Sequence, residues 1–343
     1  MKDPTNERKV EHINIINKDQ NVDRKKFYFD NLSLVHRALP EIDYTAIDTS
    51  VELFNKRLSF PLLISSMTGG DHELVRTINR NLAIAAQETQ VALGVGSQRV
   101  AFTHPGARSS FELRKYAPNA LLFANLGAVQ LNYGFTIEHC RKAVDMLQAD
   151  ALIFHLNPLQ EAVQPEGDTN FANLAVKIAA IAEQLEVPVI LKEVGAGISA
   201  KDVSLLIDKG VHYIDVAGSG GTSWSRIEHY RHSEGKNEEI GITFQDWGLS
   251  TPMAIKALQK YRDQMTVIAS GGLRNGIDMV KAIILGARLC GLASPFLQPA
   301  MESQDQVIER IIRLKREFQT AMFLLGVAKF DDLHFNPDLL IEP

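Results

Sequence analysis

The chain has 343 residues, a net charge of −5 and 45% hydrophobic residues, enough to bury a large core. That length exceeds an average domain, but a barrel of alternating strands and helices reaches it as one unit. The acidic balance gives no footprint for nucleic acid, no run of about 18 apolar residues exists to span a membrane, and two cysteines without a framework point to a reducing cytoplasm.

Residues 1–30 are polar and carry Arg8-Lys9-x-Glu11-His12 and the basic cluster Arg24-Lys25-Lys26. They lack an apolar h-region, so a signal peptide is not expected. A solvated tail is one reading of residues 8–12; a set of cations and an imidazole for a diphosphate, completed by Arg99, is the other. Residues 1–60 read as an extension packing on a barrel formed by residues 61–343.

From residue 61, short apolar runs begin at Pro61, Val91, Leu121, Ala151, Pro188, Tyr213, Thr266 and Ala287, the first four spaced close to thirty residues apart. That spacing suits one strand plus one crossover helix. Helical patterns fill the gaps. Leu74, Ile78 and Leu82 follow Asp71 as an expected N-cap, and Leu174, Ile178, Ile181 and Leu185 follow Asn170. Thr251 is the expected N-cap before Pro252. Ser303 with Gln306 opens the last helix, which contains Val307, Ile311, Leu314 and Phe318, and Gly326 closes it. Cys140 falls in a predicted helix and Cys290 in a predicted strand. Eight near-continuous apolar strands alternating with helices predict an α/β fold, a (β/α)₈ TIM barrel, with an open doubly wound sheet as the rival. In a barrel, function sits where strands end and helices begin.

Small residues recur at those ends: Ser66-Met67-Thr68-Gly69-Gly70, Gly96-Ser97-Gln98-Arg99, Gly218-Ser219-Gly220-Gly221-Thr222, Ser270-Gly271-Gly272-Leu273-Arg274, and Ala293-Ser294. Tight turns alone require some of these glycines. Their recurrence also lets backbone N–H groups approach an anion, and the last three clusters follow strands six, seven and eight, where phosphate commonly binds. Asn125 closes the third strand. Lys192 stands at the end of the fifth, where a lysine must pair with Glu193 or another carboxylate or place its charge beside a ligand. Gly195-x-Gly197-x-x-Ala200, with Asp215 beyond, imitates a dinucleotide fingerprint, but as the fifth turn of a longer series it is weak.

The fourth strand leads into His155-Leu-Asn157-Pro158-Leu-Gln160-Glu161-Ala-Val-Gln164-Pro165-Glu166-Gly-Asp168. Its amides and carboxylates suit a hard cation such as Mg²⁺, which takes one or two carboxylates plus water and a ligand phosphate. A solvated polar loop is the plain alternative.

Together, RKxEH at 8–12, MTGG at 67–70, GSQR at 96–99, HLNPLQE at 155–161, GGT at 220–222 and SGGLRNG at 270–276 resemble the type 2 isopentenyl-diphosphate Δ-isomerase family over about residues 8–325. The glycine motifs are shared with other FMN barrels; the HLNPLQE run with RK and SQR is far more specific. The resemblance implies an FMN-dependent isomerase that interconverts isopentenyl and dimethylallyl diphosphates in isoprenoid biosynthesis. It also implies Mg²⁺, NADPH to keep the flavin reduced, and a homo-oligomer such as a tetramer or octamer. Carried over by motif, Met67, Thr68, Gly69, Ser97, Asn125, Lys192, Thr222, Gly272, Leu273, Arg274, Ala293 and Ser294 would bind FMN. Arg8, Lys9, His12, Ser97, Gln98, Arg99, His155, Asn157 and Gln160 would hold substrate, and Glu161 would contact Mg²⁺. Gln160, His155 and Lys192 are the expected catalytic side chains.

An alkene is a very weak base and an allylic C–H a very weak acid, so a side chain giving about 10²–10⁴-fold as general acid or base is insufficient alone. The expected agent is N5 of reduced FMN, with the protein supplying position and electrostatics. A 2-hydroxy-acid dehydrogenase or oxidase on the same barrel would use a His-Gly dipeptide, which this chain lacks. A nucleotide dehydrogenase of the inosinate type would need a cysteine in the loop after strand six, where GSGGTSWS stands. A non-catalytic flavin barrel need not keep His155, Gln160 and Glu161. The stretch 223–241 matches nothing assignable and reads as a lid or an interface.

Overall fold

A computed structural model of the chain describes residues 4–19, 21–231 and 239–341. Eight strands close into a parallel barrel in sequence order: β1 (Leu62–Ile64), β2 (Ala92–Gly94), β3 (Leu121–Gly127), β4 (Ala151–Leu156), β5 (Val189–Glu193), β6 (Tyr213–Asp215), β7 (Thr266–Ser270) and β8 (Ala287–Leu292). All eight apolar runs are barrel strands. They contain few polar residues because both faces are covered, one by the barrel interior and one by helices. Closure of β8 against β1 excludes the open sheet, and with it the dinucleotide reading of Gly195–Ala200.

The helices used below are α1 (Pro4–Lys18), α2 (Glu73–Thr89), α3 (Ile137–Leu147), α4 (Pro158–Val163), α5 (Leu174–Gln184), α6 (Trp224–Arg231), α7 (Thr251–Leu258), α8 (Gly276–Ile284), α9 (Ser294–Glu302) and α10 (Gln304–Leu325). The core runs unbroken from barrel to helices, with Phe60, Phe123, Phe154 and Phe318 fully buried; each contributes on the order of 1.5–3 kcal/mol of transfer free energy. A hairpin of Val51–Leu53 and Lys56–Leu58 brings the Phe54 ring onto Phe123 and Tyr213. Cys140 lies in α3 and Cys290 in β8, both buried, and burial pushes the Cys140 thiol up to about 12. Among the described residues no helix is long and apolar enough to cross a membrane.

Three expected caps shift. His72, not Asp71, caps α2, because Asp71 pairs with Arg76 at 2.5 Å and His104 at 3.1 Å. Asn173, in the left-handed region at φ 57°, precedes α5, while Asn170 accepts from the Ala172 N–H in a local turn. Ser250 precedes α7, and Thr251 instead donates to Ser270 O at 2.9 Å. Ser303 does accept from the Gln306 N–H, and Gly326 closes α10 at φ 70°.

The N-terminal residues are helical, not a loose tail. α1 lies over its own barrel and packs on α6, with the His12 and Trp224 rings edge to face at 5.2 Å. Barrel register places His155, Lys192 and Asp215 side by side on β4, β5 and β6.

Candidate active site

One cavity of about 590 Å³ opens at the C-terminal ends of the strands, under α1. Its floor carries Lys192, whose Nζ donates to Asp215 Oδ2 at 2.7 Å and Ser270 Oγ at 2.9 Å. Asp215 is fully buried and also accepts from Ser270 Oγ at 2.6 Å. Lysine and aspartate therefore enter the interior as a hydrogen-bonded pair, which a buried charge requires. Glu193 points elsewhere: its Oε2 accepts four backbone N–H groups from Val194 to Gly197, and burial still pushes its carboxyl up to about 7.

Beside Lys192, His155 Nδ1 lies 2.7 Å from Asn125 Oδ1, and Asn125 Nδ2 donates to Ser66 Oγ at 2.8 Å. The Asn125 oxygen faces the ring, so a proton carried on Nδ1 would be donated to it. The turns that follow β7 and β8 bring in Gly271, Gly272, Leu273, Arg274, Ala293 and Ser294. Gly271 and Gly272 have φ of 95° and 77°, and a Cβ on Gly271 would stand 2.0 Å from Gly218 O; the turn demands glycine twice over. The Arg274 guanidinium is held by Asp278 and Asp30, which raise its already high pKa further, and its plane lies over Phe27. Lys25 and Arg310 line the same end.

The opposite end holds the polar loop. α4 begins at Pro158, and its Glu161 is buried with Asn157 Nδ2 on Oε1 at 2.8 Å and Gln164 Nε2 and the Asp168 N–H on Oε2, each at 2.7 Å. Asn157 Oδ1 and Gln164 Oε1 are buried without a hydrogen-bond partner among the described residues. Arg99 Nη1 donates to Asp168 Oδ2 at 2.6 Å, and Gln130 Nε2 donates to the same oxygen at 2.8 Å. Gln160 Nε2 donates to Glu228 Oε1 at 2.7 Å, and His12 Nε2 meets that oxygen at 3.1 Å. Burial lowers the His12 pKa, against the opposing pull of Glu228. Burial alone would raise Glu228, but His12, Arg231 and Gln160 outweigh it and hold the carboxyl at about 2.

Met67, Thr68, Ser97, Asn125, Lys192, Thr222, Gly272, Leu273, Arg274, Ala293 and Ser294 all line this one cavity, as do Lys9, His12, Arg99, His155, Asn157, Gln160 and Glu161. Two expected residues are not brought in. Gly69 packs on Phe111, whose ring stands 2.2 Å from where a Cβ would be. Gln98 is fully buried, accepting from the Asn125 N–H at 2.9 Å and donating to Ala143 O at 2.9 Å, so it ties the second strand-end loop to β3 and α3 instead of facing a substrate. The Arg8 side chain lies outside the described residues. Within the stretch 223–241, residues 224–231 form α6, which supplies Trp224 to the cavity and Glu228 to Gln160; residues 232–238 lie outside the described residues. Glu228, Trp224, Asp23 and Arg310 escaped the sequence reading, while Lys25 entered it only as part of a basic cluster and Asp215 only as the acidic residue of the dinucleotide decoy. Only Asp215 had a usable signal there, an aspartate ending a strand next to the one that ends in Lys192.

A family model described as FMN-dependent dehydrogenase matches residues 132–341. Among solved structures, the chain resembles a flavocytochrome b2 (TM-score 0.68, 19% identity, 94% of this chain and 80% of that one) and a mandelate oxidase (TM-score 0.62, 20% identity, 91% and 88%). At that identity these likenesses show the fold alone. Curated relatives are far nearer. The isopentenyl-diphosphate delta-isomerase of Hydrogenovibrio crunogenus is 52% identical over 98% of both chains, and that of Paracoccus zeaxanthinifaciens 53% identical over 97% of this chain and 96% of its own. The isomerase of Halobacterium salinarum is 46% identical over 96% and 92%. The chain is an isomerase and belongs to the isopentenyl-diphosphate delta-isomerase family.

Proposed function

We propose that this protein interconverts isopentenyl and dimethylallyl diphosphates, with reduced FMN and Mg²⁺ in the cavity beneath α1. The observation that carries this reading is the convergence of two sets on one cavity: an anion cup with Lys192 at one end, and cations, amides and a buried carboxylate at the other.

FMN fits the first set. Ser65 Oγ and Thr68 Oγ1 line the cavity, buried and without hydrogen-bond partners among the described residues, and await a polar ligand atom. Thr222, Gly272, Arg274, Ala293 and Ser294 would hold its phosphate, with Lys25 and Arg310 adding positive charge. When bound and reduced, FMN would supply a proton donor and acceptor at N5 with no net redox change.

Mg²⁺ fits the second set. Glu161 brings a carboxylate to the cavity, and the two amides that hydrogen-bond it through their NH₂ groups keep Asn157 Oδ1 and Gln164 Oε1 unpartnered among the described residues, a donor set of oxygens that suits a hard cation. Among the described residues no three His, Cys, Asp or Glu side chains converge on a metal position, so substrate and water oxygens would complete the shell. Lys9, Arg99 and Arg8 would clamp the diphosphate and fix the alkene. Ile13, Ile16 and Trp224 would keep water from the reacting carbons. Lys192 would stabilise negative charge near the floor, His155 would act on the substrate beside it, and Gln160 would orient or relay a proton. Ser97 and His12 would contact substrate from the rim.

NADPH as reductant follows from the family resemblance. A homo-oligomer finds support in Ile277 on α8 and Ile312 and Leu324 on α10, each at least 42% exposed. Two buried unpaired thiols support a cytoplasmic setting.

The test is turnover in D₂O with FMN, NADPH, Mg²⁺ and isopentenyl diphosphate, followed by NMR. Deuterated dimethylallyl diphosphate, with far less NADPH consumed than product formed, is the expected result. Stoichiometric NADPH loss with a reduced product would replace the isomerase reading with a flavin reductase.

A further inference from the structure

Two hydroxyls of the anion cup are already engaged. Thr222 Oγ1 donates to Asp23 Oδ1 at 2.6 Å, and Ser294 Oγ donates to Asp23 Oδ2. Thr222 follows β6, and Ser294 opens α9 after β8, so one carboxylate spans two strand ends. Asp23 lines the same cavity end as Lys25, Arg274 and Arg310.

The segment that delivers Asp23 is tethered. Asp23 bridges Thr222 in antiparallel fashion. The Arg24 N–H donates to Gly221 O at 3.1 Å, and the Ser223 N–H donates to Val22 O at 2.8 Å. The Arg24 guanidinium reaches Gly195 O at 2.6 Å and Gln245 O at 2.5 Å. Asp23 is therefore placed by a backbone ladder and an arginine anchor.

Two oxygens accepting from two hydroxyls at a helix N-terminus are what one edge of a phosphate would present. A hydroxyl carries one proton and cannot serve two anions at once. Like charges at contact distance also repel.

We propose that Asp23 sets the affinity and selectivity of the flavin site: its carboxylate holds the Thr222–Ser294 hydroxyl pair that the FMN phosphate takes, and FMN binds by displacing it. This rests on the reading of the cup as the FMN phosphate site. A flavin without a phosphate need not displace Asp23, so the residue works against FMN and not against riboflavin. Displacement also unseats one point of the segment joining α1 to the barrel, which links flavin loading to the helix carrying Lys9 and His12.

The experiment titrates the full-length chain, freed of flavin by dialysis, with FMN and with riboflavin, following flavin fluorescence. Asp23→Asn, nearly isosteric, and Asp23→Ala are each expected to tighten FMN about tenfold, the size of one charge-assisted hydrogen-bond exchange. Both should leave riboflavin within about twofold on the same grounds. Unchanged or weaker FMN binding in both variants overturns the proposal, as does equal tightening of both flavins. Thr222→Ala in the Asp23→Ala background separates the two readings. If it weakens FMN and spares riboflavin, the phosphate cup stands and the Asp23 result is decisive. If it changes neither flavin, the cup itself is misassigned and the proposal falls with it.

Discussion

Gln160 donates from Nε2 to Glu228 Oε1 at 2.7 Å across 68 residues of sequence, while its own Oε1 accepts from Asn157 Nδ2 at 3.2 Å. The amide is thus fixed at both ends, and its orientation depends on a carboxylate carried by α6. Glu228→Gln keeps the volume but replaces an acceptor oxygen with an NH₂ that opposes His12 or Arg231. One charge-assisted hydrogen bond at a buried site is worth roughly 1.5–3 kcal/mol, so kcat should fall about tenfold or more. FMN content should not change, because Glu228 does not line the cavity. Initial rates across isopentenyl diphosphate concentration, beside flavin absorbance, measure both.

The same carboxylate predicts a pH dependence of stability. Its value falls from 4.5 to about 2 in the folded protein. A depressed carboxyl contributes stability that is fully present above pH 4.5 and is lost as pH falls toward 2. The full contribution is on the order of 3 kcal/mol. The difference in urea midpoint between wild type and Glu228→Gln should therefore be largest above pH 5 and shrink steadily below 4.5. A constant difference across that range would mean that Glu228 is not held in its anionic form by the fold.

The barrel was legible because each strand is apolar on both faces, as in Ala151-Leu152-Ile153-Phe154, so eight short runs stand out from the amphipathic helices between them. Caps were legible only to within a few residues. At Asp71-His72 both side chains can cap, and the choice fell to His72 once Arg76 and His104 claimed the aspartate. Strand-end residues such as Lys192 and Ser294 were readable from position. Side-chain direction in a tight loop was not: Gln98 sits in the same motif as Ser97 and Arg99, yet turns into the protein. Glu228 and Asp23 carry no local signal, since each acquires its meaning only when an N-terminal segment docks on the barrel mouth.

Arg99 and Asp168 form a second testable relationship. Asp168 takes Arg99 Nη1 and Gln130 Nε2 on one oxygen, and its N–H holds Glu161 Oε2. Asp168→Asn keeps the backbone N–H and with it the support of Glu161, but loosens the guanidinium. If Arg99 clamps the diphosphate, KM for isopentenyl diphosphate should rise about three- to tenfold with kcat nearly constant, the signature of lost uniform binding. The pair is about a third exposed on the arginine side, so the effect should be modest and smaller at high salt. A fall in kcat at constant KM would place Asp168 in the chemical step instead.

Lys192 and Asp215 share a buried site in which neither can be removed alone without cost. Lys192→Met leaves a fully buried carboxylate with, among the described residues, Ser270 Oγ and the Ala217 N–H as its remaining donors. Breaking a buried pair typically costs about 3–5 kcal/mol. Asp215→Asn strands the ammonium and should be costly in the same way. The double variant Lys192→Met with Asp215→Asn removes both charges and should be more stable than either single variant, because no uncompensated charge remains. Urea unfolding of the four proteins at pH 7 completes the double-mutant cycle. Additive losses would mean that the ion pair contributes nothing as a pair and that Lys192 draws its stability from packing of its methylene stem.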